Sequence, residues 1–409
     1  MRRAILFVRN PFTHDARVLR AAGALRERGY DPLVVAVAST TVRRRAEVQE
    51  GVPVLRVDPT SPLAWARGRL RRRGPATATA APGPAGGGAG DWPRPVVRLH
   101  RWMRTLDFYR RGIGILRRER PALVHCNDYN TMWVGMAART MRGTAVVYDS
   151  HELWPDRNLR PEPRWWLLAC EAVFVRAAHA VVAASPGYAD VMARRYRVRR
   201  PYVVRNVPSG PRPAAASPAT EPDVAVYAGG LAPHRGLEQA IRALALAPGL
   251  RLRLLGPGRP EYVEGLFALA REEGVGDRLA RADTVAPGAV VEAVRGAAFG
   301  LALFQPVCLS HRLVAPNKVF EYVAAGVPAL ASALPVMATF LTETGAGIAV
   351  PPDDVPAIAE AARTLAGAER NIAFRRAAVA AGRRATWERE REVLDRAYAE
   401  AEQAGPGVG

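Results

Sequence analysis

A chain of 409 residues exceeds what one hydrophobic core usually organises, and 49% hydrophobic with 23% charged residues excludes a disordered or fibrous class, so two globular domains are expected. Three scattered cysteines, Cys126, Cys170 and Cys308, exclude a disulfide scaffold and a structural zinc site, and fit a reducing cytoplasm. The net charge of +20 is spread along the chain without a nucleic-acid-binding motif, so no nucleic-acid partner is expected; nearly every cation is arginine, and Lys318 is the only lysine.

The opening MRRAILFVRNPF reads as a first strand and not a signal peptide, followed by helical ARVLRAAGALRERG and the strand PLVVAVA. Residues 61–95 are rich in Arg, Ala, Thr, Pro and Gly and are expected to form a flexible surface excursion. Next, Val97, Leu99, Trp102, Met103, Leu106, Phe108 and Tyr109 recur at helical spacing among arginines. Two readings stay open for this helix: it packs on the core, or it touches an anionic lipid surface. ALVHC, AVVYDS, AVVAAS and YVVRNV read as further strands. After the Pro/Ala/Ser linker PSGPRPAAASPATEPD, a second series follows: AVYAGG, LRLRLLG, GLALF, VPALAS and GIAVPP. A last helix carries Trp387, Val393, Leu394 and Tyr398, and GPGVG is expected to fray. This alternation predicts an α/β chain of two doubly wound, Rossmann-like domains, 1–208 and 223–384, with a linker at 209–222 and a terminal helix and tail at 385–409. No apolar run approaches the ~18 residues of a membrane span.

The densest chemical signal is Ala315–Ser332, APNKVFEYVAAGVPALAS. Pro316 and Asn317 open a helix whose first-turn N–H groups suit a phosphate; Lys318 adds a charge there, and Glu321, three residues on, is placed to accept hydrogen bonds from ribose hydroxyls. In VYAGGLAPHRGLEQAIRAL, Gly229 and Gly230 stand between a strand and a helix, and Arg235 is placed to clamp phosphate oxygens. Upstream, two strands end in polar residues: HCNDYN supplies Asp128 and Asn130, and DSHELWPD supplies Asp149, His151, Glu152 and Asp156. In NPFTHDARVL, Asp15 caps the following helix, or His14 and Asp15 face an acceptor. Asp353 and Asp354 follow prolines late in the chain, and no D-x-D pair is placed for a metal.

The segment around Lys318 resembles the donor-binding motif of glycosyltransferase family 4 in the form PNK-x-FEY, and the resemblance extends over nearly the whole chain apart from 61–95. It implies a GT-B fold with the active site in the cleft between the domains and a C-terminal helix crossing back. The implied reaction is a retaining transfer from a nucleotide-diphosphate sugar co-substrate to a hydroxyl acceptor, with no cofactor or obligatory metal. By resemblance, Glu321 grips the ribose, His151 lies beside the transferred sugar, and Arg235 and Lys318 meet the departing diphosphate. Gly229, Gly230 and Asn317 complete the donor side; His14, Asp15, Asp128, Asn130 and Glu152 form the acceptor side. The chain departs from the pattern twice: Leu313 stands where a glutamate is usual, and Gly230 where an arginine is. A non-catalytic GT-B subunit is therefore the alternative. A lipid-linked or polysaccharide acceptor, and a peripheral position on the inner face of the plasma membrane, are further expectations.

Overall fold

The computed structural model describes residues 2–13, 15–39, 42, 44–62, 94–141, 143–158 and 162–404. The expected excursion at 61–95 lies almost wholly outside the described residues, as do its arginines at 67–73, His14 and the terminal GPGVG.

The chain falls into two compact units, Met1–Asp149 with Glu171–Val181 and Arg396–Gly409, and Ser150–Cys170 with Val182–Asp395. In chain order the elements are β1 (Arg2–Phe7), α1 (Ala16–Glu27), β2 (Tyr30–Val37), β3 (Ala46–Gln49), β4 (Val52–Val57), α2 (Arg94–Glu119), β5 (Leu123–Asn127), α3 (Met132–Arg139), β6 (Ala145–Ser150), α4 (Arg164–Ala177), β7 (Ala180–Ala183), α5 (Pro186–Tyr196) and β8 (Tyr202–Val203). There follow β9 (Glu221–Ala228), α6 (Leu237–Ala245), β10 (Arg251–Leu255), α7 (Pro260–Glu272), β11 (Leu279–Ala282), α8 (Val290–Val294), β12 (Ala297–Ala302), α9 (Leu309–Arg312), α10 (Asn317–Ala324), β13 (Ala329–Ser332), α11 (Pro335–Thr344), β14 (Gly347–Val350), α12 (Val355–Ala366), α13 (Ala368–Arg384) and α14 (Trp387–Ala404).

Two sheets result, ordered β3-β4-β2-β1-β5-β6-β7-β8 and β11-β10-β9-β12-β13-β14. The second is parallel throughout; in the first, β3 runs antiparallel to β4 as a short edge hairpin that the apolar alternation alone did not reveal. Strands buried on both faces need continuous apolar runs, and β1, β5 and β6 supply them. In β9 the alternation divides the core: Ala225 and Tyr227 join one apolar cluster, Val226 and Ala228 the other, so helices cover both faces.

Local chemistry starts the helices. The Asp15 carboxylate accepts from Val18 N, so its capping reading holds, and Asp354 caps α12 through Ala357 N. Proline opens α5, α7 and α11, where its missing N–H costs nothing. Along α2, Phe108, Ile115 and Leu116 are buried, as the core-packing reading expects, whereas Leu99, Trp102 and Leu106 are exposed, Trp102 by 61%.

Within the first unit, Arg17 makes a buried two-pronged ion pair with Asp149 at 2.6 and 2.8 Å; His125 Nε2 lies 3.3 Å from the same carboxylate, and Tyr398 of α14 is 3.0 Å from His125 Nδ1. Removing one member would strand the others in a low-dielectric interior, which makes the group an all-or-none link from α1 and the sheet to the last helix. Within the second unit, the linker segment carries no helix or strand from 209 to 220, yet Arg375 donates to Ser217 O and Arg212 to Gly382 O, which fixes it on α13. Arginines with such carbonyl partners are structural.

Candidate active site

In the second sheet the chain proceeds outward from β9 to β10 and β11, then returns to the other side of β9 with β12; the carboxyl ends of β9 and β12 therefore form a topological switch point, where doubly wound sheets bind ligands. β9 ends in Tyr227 and Ala228, with Gly229 next, and β12 runs on into Leu303 and Phe304.

Helix α10 delivers Lys318 to this place. Tyr322, one turn on, donates its hydroxyl to Leu301 O at 3.0 Å and accepts from Ala228 N at 3.1 Å, locking the helix to both strands. Its ring occupies the space that a Cβ on Gly300 would need, 2.4 Å away. Lys318 is consequently only 8% exposed, its Nζ 4.7 Å from the Tyr227 ring centre and 5.0 Å from that of Phe304. The Arg235 guanidinium stands 4.6 Å from the Phe304 ring centre, so one ring attracts two cations. Neither cation has an ion-pair partner among the described residues. Burial, and next the charge of Arg235, push the Lys318 ammonium from an ordinary 10.5 down to about 7, against a smaller opposing pull from Glu321.

Two glycines make this geometry possible. Gly229 has φ 138°, and a Cβ there would lie 3.0 Å from Lys318 Nζ. Gly236, at φ 73°, precedes α6, where a Cβ would meet Leu303 O at 2.0 Å. Gly230 differs: a Cβ would meet open space, and its carbonyl accepts the Tyr227 hydroxyl at 2.9 Å. The other departure from the motif is also explained locally. Leu313 packs over Gly187 in the first turn of α5, and its carbonyl accepts the Ser185 hydroxyl at 2.5 Å.

Around this centre stand residues that the sequence reading passed over. His311 is half-buried, its ring edge-on to Phe304 with centres 6.0 Å apart. Burial, and then the charge of Arg235, lower its pKa and keep the imidazole neutral at pH 7. The buried Tyr188 hydroxyl donates to Ser310 O at 2.9 Å, and burial raises its phenol pKa. Glu152, expected on the acceptor side, belongs to this unit, where its charge acts on Tyr188 and His311; it is ion-paired with Arg157. His151 belongs to the same unit and is partly buried; Asn317 is exposed and Glu321 partly so, on the turn that carries Lys318. Tyr227 and Phe304 lie inside apolar runs that read as core, and only the pairing of β9 with β12 turns them into walls of a site.

The remaining acceptor-side residues lie in the first unit. β1 and β5 are neighbours from which the chain departs in opposite directions, so Asp15, Asp128 and Asn130 gather at that sheet's own switch point. Asp15 is held by its cap and by Asn10 Nδ2 at 2.9 Å, Asp128 takes a positive φ of 65°, and Asn130 Oδ1 is buried without a partner. Among the described residues no group of three or more His, Cys, Asp or Glu is assembled to hold a metal, and no helix is long and apolar enough to cross a membrane.

Two family models match the chain: a glycosyl transferase 4-like domain over residues 14–210 and glycosyl transferases group 1 over 213–384. Comparison with curated proteins finds no match. Among solved structures the fold is similar to sucrose-phosphate synthase from Thermosynechococcus elongatus, at 17% identity and TM-score 0.76, covering 99% of this chain and 100% of that one. It is also similar to HepE of Anabaena in complex with UDP and glucose, at 16% identity and TM-score 0.69, covering 98% and 100%. A third is WaaG, a glycosyltransferase involved in lipopolysaccharide biosynthesis, at 15% identity and TM-score 0.63, covering 99% and 100%. At such identities the likeness is one of fold.

Proposed function

We propose that this chain, a glycosyltransferase of the GT-B type with a 4-like and a group 1 domain, transfers a sugar from a nucleoside-diphosphate sugar to a hydroxyl acceptor with retention and without a metal. The observation that carries the reading is the pair of cations on Phe304: Arg235 and the buried Lys318, both without ion-pair partners among the described residues. Two such charges are costly unless an anion completes them, and a diphosphate at a switch point does so.

In this reading Arg235 and Lys318 hold the diphosphate, Gly229 and Gly230 let the backbone approach it, and Asn317 opens the helix beneath it. Glu321 accepts from the ribose hydroxyls, and His151 lies beside the sugar. The bond from the anomeric carbon to the diphosphate oxygen breaks while the acceptor oxygen bonds the same face of that carbon. The acceptor's proton passes to the departing phosphate, so no carboxylate nucleophile is needed. The cations stabilise the negative charge that accumulates on the leaving group, the role otherwise given to a divalent metal. A glycan, a lipid-linked molecule or a secondary metabolite supplies the hydroxyl.

The test is release of nucleoside diphosphate from a panel of UDP-, GDP- and ADP-sugars, with direct binding measured in parallel. Turnover by the wild type, with loss of both binding and turnover in Lys318→Ala, is the expected result. Binding without turnover on every donor and acceptor tried would instead favour a non-catalytic GT-B subunit. Wild-type turnover from Lys318→Ala would remove the diphosphate assignment.

A further inference from the structure

We propose that His311 reads a hydroxyl of the donor sugar, accepting its hydrogen bond at Nε2 beside the diphosphate position; the assignment rests on the reading of Arg235 and Lys318 given above. The tautomer follows from geometry. His311 Nδ1 lies 3.1 Å from Gln305 O, and a carbonyl only accepts, so Nδ1 carries the proton. In a neutral ring Nε2 is then an acceptor, and it makes no hydrogen bond to any described residue.

The ring is held in orientation. Gln305 is itself fixed, its side-chain amide donating to Pro352 O at 3.0 Å and its backbone N–H to His234 O at 3.1 Å. Phe304 meets the imidazole edge-on, and the same Phe304 ring faces Arg235 and Lys318. Three groups thus surround one aromatic ring, two donor-only cations and one neutral acceptor. A diphosphate only accepts hydrogen bonds, so the cations serve it and the imidazole cannot. O–H donors on such a ligand lie on the ribose, which the reading above gives to Glu321, and on the sugar attached to the diphosphate, which it leaves to the imidazole. The charged groups acting on the imidazole are Arg235 and His234 from the loop after β9, and Glu152 from the segment after β6. Glu152 is ion-paired with Arg157, and the acceptor whose ring meets Phe304 is the imidazole. Protonating it would place a third positive charge beside Arg235 in a half-buried site, which burial and that guanidinium both oppose.

The experiment compares His311→Phe, which keeps the ring and loses the acceptor, with His311→Gln, which offers an amide oxygen. Circular dichroism establishes folding. Calorimetry measures UDP against UDP-glucose and GDP against GDP-mannose. His311→Phe should leave free-diphosphate affinity within about twofold and weaken the matching nucleotide sugar about tenfold, with His311→Gln recovering part of the loss. Donor hydrolysis by the wild type should fall as pH drops below 6.5 through the lowered pKa of His311, an acid limb absent in His311→Gln. Equal weakening of diphosphate and nucleotide sugar, or no change in either, overturns the assignment while leaving the cation site standing. A wild type that binds neither diphosphate removes the cation site, and this assignment with it.

Discussion

In the proposed site the buried ammonium of Lys318 couples binding of a diphosphate to protonation. With its pKa near 7, about one-tenth of Lys318 side chains are neutral at pH 6, about half at pH 7 and about nine-tenths at pH 8. A diphosphate alongside restores the charged form by supplying the anion that the site lacks, so binding at pH 8 should take up about 0.9 proton, and at pH 6 about 0.1. The terminal phosphate of a free nucleotide titrates near pH 6, so pH 8 separates the lysine from the ligand. The sign for stability follows the same way. A lysine whose folded pKa lies below 10.5 favours deprotonation in the folded state, so the unliganded protein should lose stability as pH falls from about 10.5 to about 7, with no further loss from this group below. The assay is titration calorimetry in buffers of differing ionisation enthalpy, where the slope of observed enthalpy gives the protons taken up. Lys318→Arg should take up none, because a guanidinium stays charged throughout. It should also lose most turnover, since the wider group does not fit beside Gly229 between the Tyr227 and Phe304 rings, and misplacement of ~1 Å costs ~100-fold. No proton uptake by the wild type at pH 8, or equal uptake by Lys318→Arg, would refute the linkage; full turnover by Lys318→Arg would refute the need for a compact charge.

Glu321→Ala should weaken nucleoside diphosphates by ~1–3 kcal/mol and Glu321→Gln by less, as calorimetry with UDP and GDP would read; unchanged affinity in both variants would remove Glu321 from the ribose. Gly236→Ala should destabilise by at least about 2 kcal/mol in urea denaturation, because φ is 73° and the added Cβ would sit 2.0 Å from Leu303 O; an unchanged midpoint would mean that the turn before α6 relaxes freely. The exposed Leu99, Trp102 and Leu106, with Arg98 and Arg101 on the same helix, should bring the protein down with anionic vesicles, less so at high salt, and Trp102→Ser should weaken this; equal sedimentation with neutral vesicles would deny the anionic-surface partner.

The legible part of this molecule is what local pattern controls. Doubly wound sheets follow from apolar runs such as AILF and AVYA, and the cap at Asp15 and the helix after Gly236 follow from residue type at a helix start. Lys318 stood out because it is the chain's only lysine. Tyr227 and Phe304 were not legible because, within one strand, a site wall and a core residue look alike. Their role depends on β9 lying beside β12, a pairing between segments some seventy residues apart. His311 was passed over for the same reason, since only the Gln305 carbonyl decides which of its nitrogens is left to accept.

The two departures from the family motif look equivalent in sequence and are physically unlike. At Gly230 a side chain would enter open space at an ordinary φ, so an arginine there costs the fold little and its absence leaves room at the rim. At position 313 a glutamate would set its side chain against Gly187, where Leu313 now packs at the start of α5, its own backbone carbonyl accepting the Ser185 hydroxyl. In the proposed site the acceptor on this short segment is instead His311, two residues earlier and fixed against Phe304.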